Sequence, residues 1–246
     1  MRKLGIFLLL AVSVSIGFAQ QDGGASTVLR SIYIPPLRGA PFSAIVHTEW
    51  AKPLAGGGST TTVNQRRVVR DRDGRVYQER WLLVPKQGKI PSRMNMIQIY
   101  DPNQHSGLDC FALGPRKGEC ALSIYEMVES PDAPVTTGPL PDNTGFRTHE
   151  ELGTQVIEGI ETVGTRDTTI INAGAMGNDE PMKIVREFWH SQKLGVNLVS
   201  IVSDPRFGTQ TFTLTDVDAS EPDPRYFELP AGFHMASESK PGEAAN

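Results

Sequence analysis

The fifteen residues from Arg66 to Arg80 read RRVVRDRDGRVYQER, six of them arginine, with Asp71-x-Asp73-Gly74 at the centre. Three readings compete for this stretch. A calcium loop of the EF-hand type, with Gly74 at its sixth position, would put Val69 first and Arg80 twelfth. Neither side chain can ligate a cation, and the bidentate acid is missing. A β-hairpin requires only a turn at Asp73-Gly74 between two alternating runs, and Asp-Gly is a strong short-range hairpin signal. An anion- or partner-binding strip formed by Arg66, Arg67, Arg70, Arg72 and Arg75 is compatible with the hairpin, because a guanidinium fork suits phosphate and carboxylate. The stretch therefore reads as two antiparallel strands joined by a two-residue type I′ turn, with the arginines on a charged ribbon.

Working outward, the rest of the chain repeats this grammar. Phe42–Trp50 (FSAIVHTEW) alternates Phe42, Ala44, Val46, Thr48 and Trp50 against Ser43, His47 and Glu49, with Ile45 the exception, as in a half-buried strand. Further strands are expected over 62–71, 75–84, 95–101, 108–113 and 119–127. After a Pro-rich stretch, 129–145, a second series covers 152–159, 160–172, 182–190, 196–204 and 209–218. Connections such as Glu158-Gly159 suit antiparallel hairpins. Helix signals are few: a short turn opening at Pro224, capped by Asp223, and a short segment before Pro35. The fold class is mainly β, built from successive hairpins with few short helices. One β domain is expected over 41–233, in two halves (41–128 and 146–233) joined by the 129–145 loop. A segment, 20–40, precedes it, and a disordered tail, 234–246, follows.

Compartment is legible at the N-terminus. Met1-Arg2-Lys3 precedes an apolar run, Leu4–Phe18, and small residues at Gly17 and Ala19. This is the pattern of a secretory signal peptide cleaved after Ala19. The alternative is an uncleaved anchor, for which the run is short; no second apolar run approaches spanning length, so the mature chain is expected to have no transmembrane segment and to reside in the periplasm or outside the cell. The net charge of −4 argues against general nucleic-acid binding. An exported chain with two cysteines points to a disulfide. Cys110 and Cys120 flank the turn residues Gly114–Gly118, and a hairpin symmetric about Pro115 sets them opposite each other. A metal site made from the two thiolates and His105 would need a second histidine from far away, so no metal site is expected.

Motifs for chemistry are sparse. The G-x-S-x-G elbow, H-E-x-x-H and G-x-x-x-x-G-K-[ST] are not found in the sequence, and Asn172–Asp179 is glycine-rich without a lysine. No cofactor and no catalytic residue are assigned. The tryptophans Trp50, Trp81 and Trp189 fall on three strands and are candidates to contact an apolar ligand.

Ala40–Ala44 (APFSA), the stretch ending RDRDGRVYQER, and LGTQVIEGIETVGTR, AGAMGNDEP, SDPRFG and EPDPRYFELPAGF resemble a pattern recurring in uncharacterised exported proteins of soil bacteria, over most of Pro41–Phe233. More loosely, the succession of hairpins closed by Asp223-Pro224-x-x-Phe227-x-x-Pro230 is similar to the periplasmic lipoprotein-carrier fold shared by LolA-like carriers and RseB-like sensors. That resemblance implies a curved antiparallel sheet, an open half-barrel. It also implies an exported, non-catalytic binding protein for a hydrophobic or lipid-like ligand or an envelope partner. An envelope structural or interaction protein and an exported hydrolase are the alternatives.

Overall fold

The computed structural model describes residues 32–124 and 135–236. The expected signal peptide and the tail beyond Ala236 lie outside them, as do residues 20–31 and the first part of the Pro-rich loop.

The strands are β1 (Phe42–Pro53), β2 (Ser59–Arg70), β3 (Val76–Trp81), β4 (Val84–Pro85), β5 (Met94–Asp101), β6 (Ser106–Phe111) and β7 (Glu119–Ile124) in the first half. The second half holds β8 (Gly138–Pro139), β9 (Gly145–Ile157), β10 (Ile160–Ile171), β11 (Met182–Ser191), β12 (Val196–Asp204), β13 (Gly208–Asp218) and β14 (His234–Met235). They form one curved, open sheet of 14 strands, in the order β14-β7-β6-β5-β3-β2-β1-β13-β12-β11-β10-β9-β8, with β4 added beside β3 on β2. Each half is a meander of neighbours, and the two meet where β1 pairs antiparallel with β13. Two 3₁₀ turns, Pro141–Asn143 and Pro224–Phe227, are the helical elements among the described residues. Asp223 caps the second through its carboxylate, which accepts from the Arg225 N–H.

Alternation decides which face of the sheet is filled. In β1, Phe42, Ala44, Val46, Thr48 and Trp50 are buried, while the residues between them are half-buried. Val68 of β2 and Phe212 and Leu214 of β13 continue this core face. It is covered by Ile32 and Ile34 of the N-terminal segment and by Leu194 of the β11–β12 hairpin. A second cluster lies on the opposite face at the β5–β7 end: Val69, Tyr77, Ile97, Ile99 and the two cysteines, with Tyr226, Phe227 and Phe233 packed over them. The chain thus uses its two ends to cover two faces of one sheet.

The cysteine hairpin forms as expected: Cys110 and Cys120 are direct cross-strand partners, fully buried, and joined in a disulfide with a Cα–Cα distance of 4.0 Å.

Two expectations are corrected. The Arg66–Arg80 hairpin exists, but its loop has five residues, 71–75, rather than a two-residue type I′ turn. The carboxylate of Asp71, buried beneath the loop, replaces the tight turn by accepting from the N–H groups of Asp73 and Arg75 and from Arg75 Nε. A type I′ signature occurs instead at Glu158-Gly159, where φ is 52° and 73° and Ile157 faces Ile160. The second correction concerns the tail. His234 and Met235 pair in parallel with Glu119 and Cys120, because the Ala236 N–H reaches the Cys120 carbonyl and ties the chain to the β7 edge.

Candidate functional site

A groove of about 1060 Å³ opens on the face opposite the β1 core residues. Its floor comes from the outward residues of three adjacent strands: Ile45, His47 and Glu49 of β1, Val63, Gln65 and Arg67 of β2, and Thr211 and Thr213 of β13. Register makes this floor. His47 faces Gln65 on one side and Thr213 on the other, and Glu49 faces Val63 and Thr211. One wall carries Glu79 and Trp81 at the end of β3, with Val84 and Lys86 from the β4 segment. The opposite rim ends at Asp216, a non-glycine residue at φ 52° beside the irregularity where β1 and β13 lose register. Such a bulge re-aims a side chain at the margin of a sheet.

The wall is held by Glu79. Its carboxylate accepts from Trp81 Nε1 at 2.7 Å, from the Tyr77 hydroxyl at 3.1 Å and from the Arg67 N–H at 3.2 Å. The last contact replaces a ladder bond, because β3 pairs with β2 only from Val68 to Arg70. Asn64 bridges the same gap by donating from Nδ2 to the Trp81 carbonyl at 2.6 Å, and its buried Oδ1 has no hydrogen-bond donor among the described residues. Burial and the adjacent Glu79 carboxylate push the Tyr77 hydroxyl pKa up. Lys86 is paired with Glu49 at 2.6 Å.

The tryptophan trio is split by this arrangement. Trp81 lines the groove, while Trp50 lies on the core face, its Nε1 donating to the Phe207 carbonyl and Lys52 standing 3.6 Å over its ring. Trp189 shares the groove's face, since it pairs with Val199, which faces Thr213, but it lies outside the lining. It is fixed by a bond to Glu187 that repeats the Glu79–Trp81 pattern two residues apart. Strand parity separates the trio: Trp50 occupies an inward position of β1, and sequence alone did not relate the parity of β1 to that of β3.

The arginine ribbon does not form one surface either. Arg66 and Arg70 are buried, at 5% and 0% exposure, which removes them from any accessible strip. Burial, followed by the nearby Arg80, lowers the Arg66 pKa to about 9, and burial lowers that of Arg70 to about 10. Arg72 pairs with Glu221 and Arg75 with Asp71. Arg66 and Arg67 both border the groove, and Arg67 is the one that takes an outward position of β2. What the sequence reading passed over was the polar floor itself, His47, Gln65, Thr211 and Thr213, and the signal available was only that these residues take outward positions of their strands.

Among the described residues no group of three His, Cys, Asp or Glu side chains is placed to hold a metal. No helix there is long and apolar enough to cross a membrane.

No family model and no curated protein matches the chain. Solved structures do. MucB is similar over 79% of this chain and 59% of its own, at 14% identity and a TM-score of 0.41. The MucA/MucB complex of Pseudomonas aeruginosa gives 13% identity, TM-score 0.39, and 83% and 62% of the two chains. A DUF1329 family protein from Desulfovibrio piger gives 11%, 0.30, and 77% and 90%. This chain therefore spans about three-fifths of the MucB chains it is similar to.

Proposed function

We propose that the protein is an exported, non-catalytic binding protein that receives a ligand, or a segment of an envelope partner, in the groove across β1, β2 and β13. The observation that carries this reading is the concavity of about 1060 Å³, built on rigid central strands and walled by the anchored Glu79–Trp81 pair. Four apolar side chains, Ile45, Val63, Trp81 and Val84, stand among a larger number of polar ones. That mixture of apolar surface and polar groups suits an amphipathic occupant, with the hydrophobic or lipid-like ligand expectation kept beside a more polar one.

Binding over hydrolysis is supported by two of the three carboxylates that line the groove. Glu49 is tied to Lys86, and Glu79 is engaged by three donors. An oxidising compartment is supported by the buried disulfide, and periplasmic or extracellular residence after removal of residues 1–19 is part of the proposal.

Native mass spectrometry of the exported protein, purified without detergent, tests it. A discrete adduct that is lost on partial denaturation, or a co-purifying stoichiometric partner, is the expected result. Bare polypeptide mass, together with no shift in melting midpoint when envelope extract is added, would overturn it.

A further inference from the structure

We infer that the ligand class of the groove is a saccharide, an inference that rests on the groove being the binding site. Six polar side chains that line it, His47, Gln65, Arg67, Thr211, Thr213 and Asp216, make no side-chain hydrogen bond or ion pair to another described residue. Further along the same face, Arg166 bridges Glu150 and Glu187, and Trp189 is bonded to Glu187. In the groove, register sets the available donors and acceptors in adjacent rows across three strands.

Their chemistry is mixed in a particular way. Threonine hydroxyls and the Gln65 amide each donate and accept, Arg67 donates only, and Asp216 accepts only. A partner surface that presents hydroxyls, each both donor and acceptor, matches all of these at once. A carboxylate or phosphate would match Arg67 and be opposed by Asp216, Glu49 and Glu79. An acyl chain would strand the whole floor without partners, and leaving polar groups buried and unpaired is unfavourable. The one aromatic plane of the groove, Trp81, is held by its Nε1 bond to Glu79 and so offers a fixed apolar platform to the C–H face of a pyranose ring. A ring resting on Trp81 with its hydroxyls on the β1–β2–β13 floor uses each feature of the site.

The test is saturation-transfer difference NMR on the mature chain with maltohexaose, cellohexaose and chitohexaose, alongside dodecyl maltoside and dodecanoate. Binding of at least one free oligosaccharide is expected. Affinity should fall about tenfold in Trp81→Ala, the scale of a lost aromatic contact. It should fall about threefold to tenfold in the double variant Thr211→Val/Thr213→Val, which keeps shape and strand propensity and removes two hydroxyls. Trp189→Ala, on the same face but outside the lining, should bind as the parent does, and circular dichroism verifies the fold of each variant. Binding of dodecyl maltoside and dodecanoate alike, with none of the free oligosaccharides, would overturn the saccharide inference and leave the groove reading standing. No binding by any of the five probes would also overturn it, and the groove reading would then depend on the adduct or partner sought by native mass spectrometry. Oligosaccharide binding unaffected by the Trp81 and threonine variants would place the sugar elsewhere and overturn the inference as well.

Discussion

The guanidinium of Arg70, fully buried at the end of β2, closes on the carbonyl of Ala40 through both Nε and Nη2, at 2.9 and 2.7 Å. The same group donates to the Pro35 carbonyl at 2.7 Å and to the Leu194 carbonyl. One cation thus fastens the N-terminal segment and the β11–β12 hairpin over the core face. Replacing it removes these donors from three carbonyl oxygens, of which those of Ala40 and Leu194 are held in buried bonds. Arg70→Met should destabilise the fold by about 3 kcal/mol or more. Part of the loss is returned because burying the charge is itself unfavourable, as its lowered pKa of about 10 records. Urea denaturation measures the change, and a variant within 0.5 kcal/mol of the parent, roughly the scatter of ordinary surface substitutions, would contradict the role assigned to Arg70.

Gly164 lies beneath Trp189, its cross-strand partner, and a Cβ added there would stand 2.6 Å from the indole ring. Its φ does not lie in the left-handed region, so the nearest obstacle to a side chain is the indole ring. Gly164→Ala is expected to cost about 1–3 kcal/mol by overpacking. Trp189→Leu should relieve it. A double-mutant cycle with zero coupling between the two positions would show that the ring is not what excludes the methyl group.

The disulfide joins fully buried partners across a sequence separation of 10 residues. Cys110→Ser should lower stability by about 2–4 kcal/mol under oxidising conditions. For a chain of this size each kcal/mol corresponds to roughly 2–4 °C in melting midpoint. The same variant compared with the reduced parent should show little difference, and a large residual gap would mean that the serine hydroxyl, not the lost bridge, is responsible.

Asp223 caps the Pro224–Phe227 turn, and hydrogen bonds from Arg225, first from its side chain and then from its N–H, hold the carboxyl pKa down to about 2. Its folded pKa is below the ordinary aspartate value. The turn is therefore stabilised by the ionised form above about pH 4, and that contribution disappears as pH falls through about 2. Carboxyl-carbon NMR titration should place the Asp223 midpoint near the lower value, and Arg225→Ala should move it back up. An unchanged midpoint in the variant would assign the depression to another cause.

Much of this molecule was legible because strand signals are local. The alternation of Phe42 to Trp50 marked a core face, and Gly114–Gly118 between two cysteines marked a hairpin that put Cys110 opposite Cys120. Asp223-Pro224 announced a capped turn. The Asp73-Gly74 dipeptide showed the limit of such signals. It lies in a hairpin loop, yet the tight turn is replaced by a wider loop wrapped around the Asp71 carboxylate, a choice made by contacts beyond the dipeptide. Even so, Gly74 remains constrained there: a Cβ would meet the Pro36 carbonyl oxygen at 2.8 Å, an atom 38 residues away in the chain.

The sequence by itself determined most of the long strands and the cysteine pairing, because each depends on side-chain period and turn chemistry within about a dozen residues. The tertiary structure decided which arginines are buried, which tryptophan faces the groove and that the groove exists. Those outcomes follow from the register of β1 with β2 and of β2 with β3, which sets the parity of the arginines and of Trp81, and from β1 pairing with β13, some 160 residues apart, which completes the groove floor. Arg66 and Arg67 are neighbours in the chain and both border the groove, yet one residue of parity buries the first and leaves the second half-buried on the groove floor.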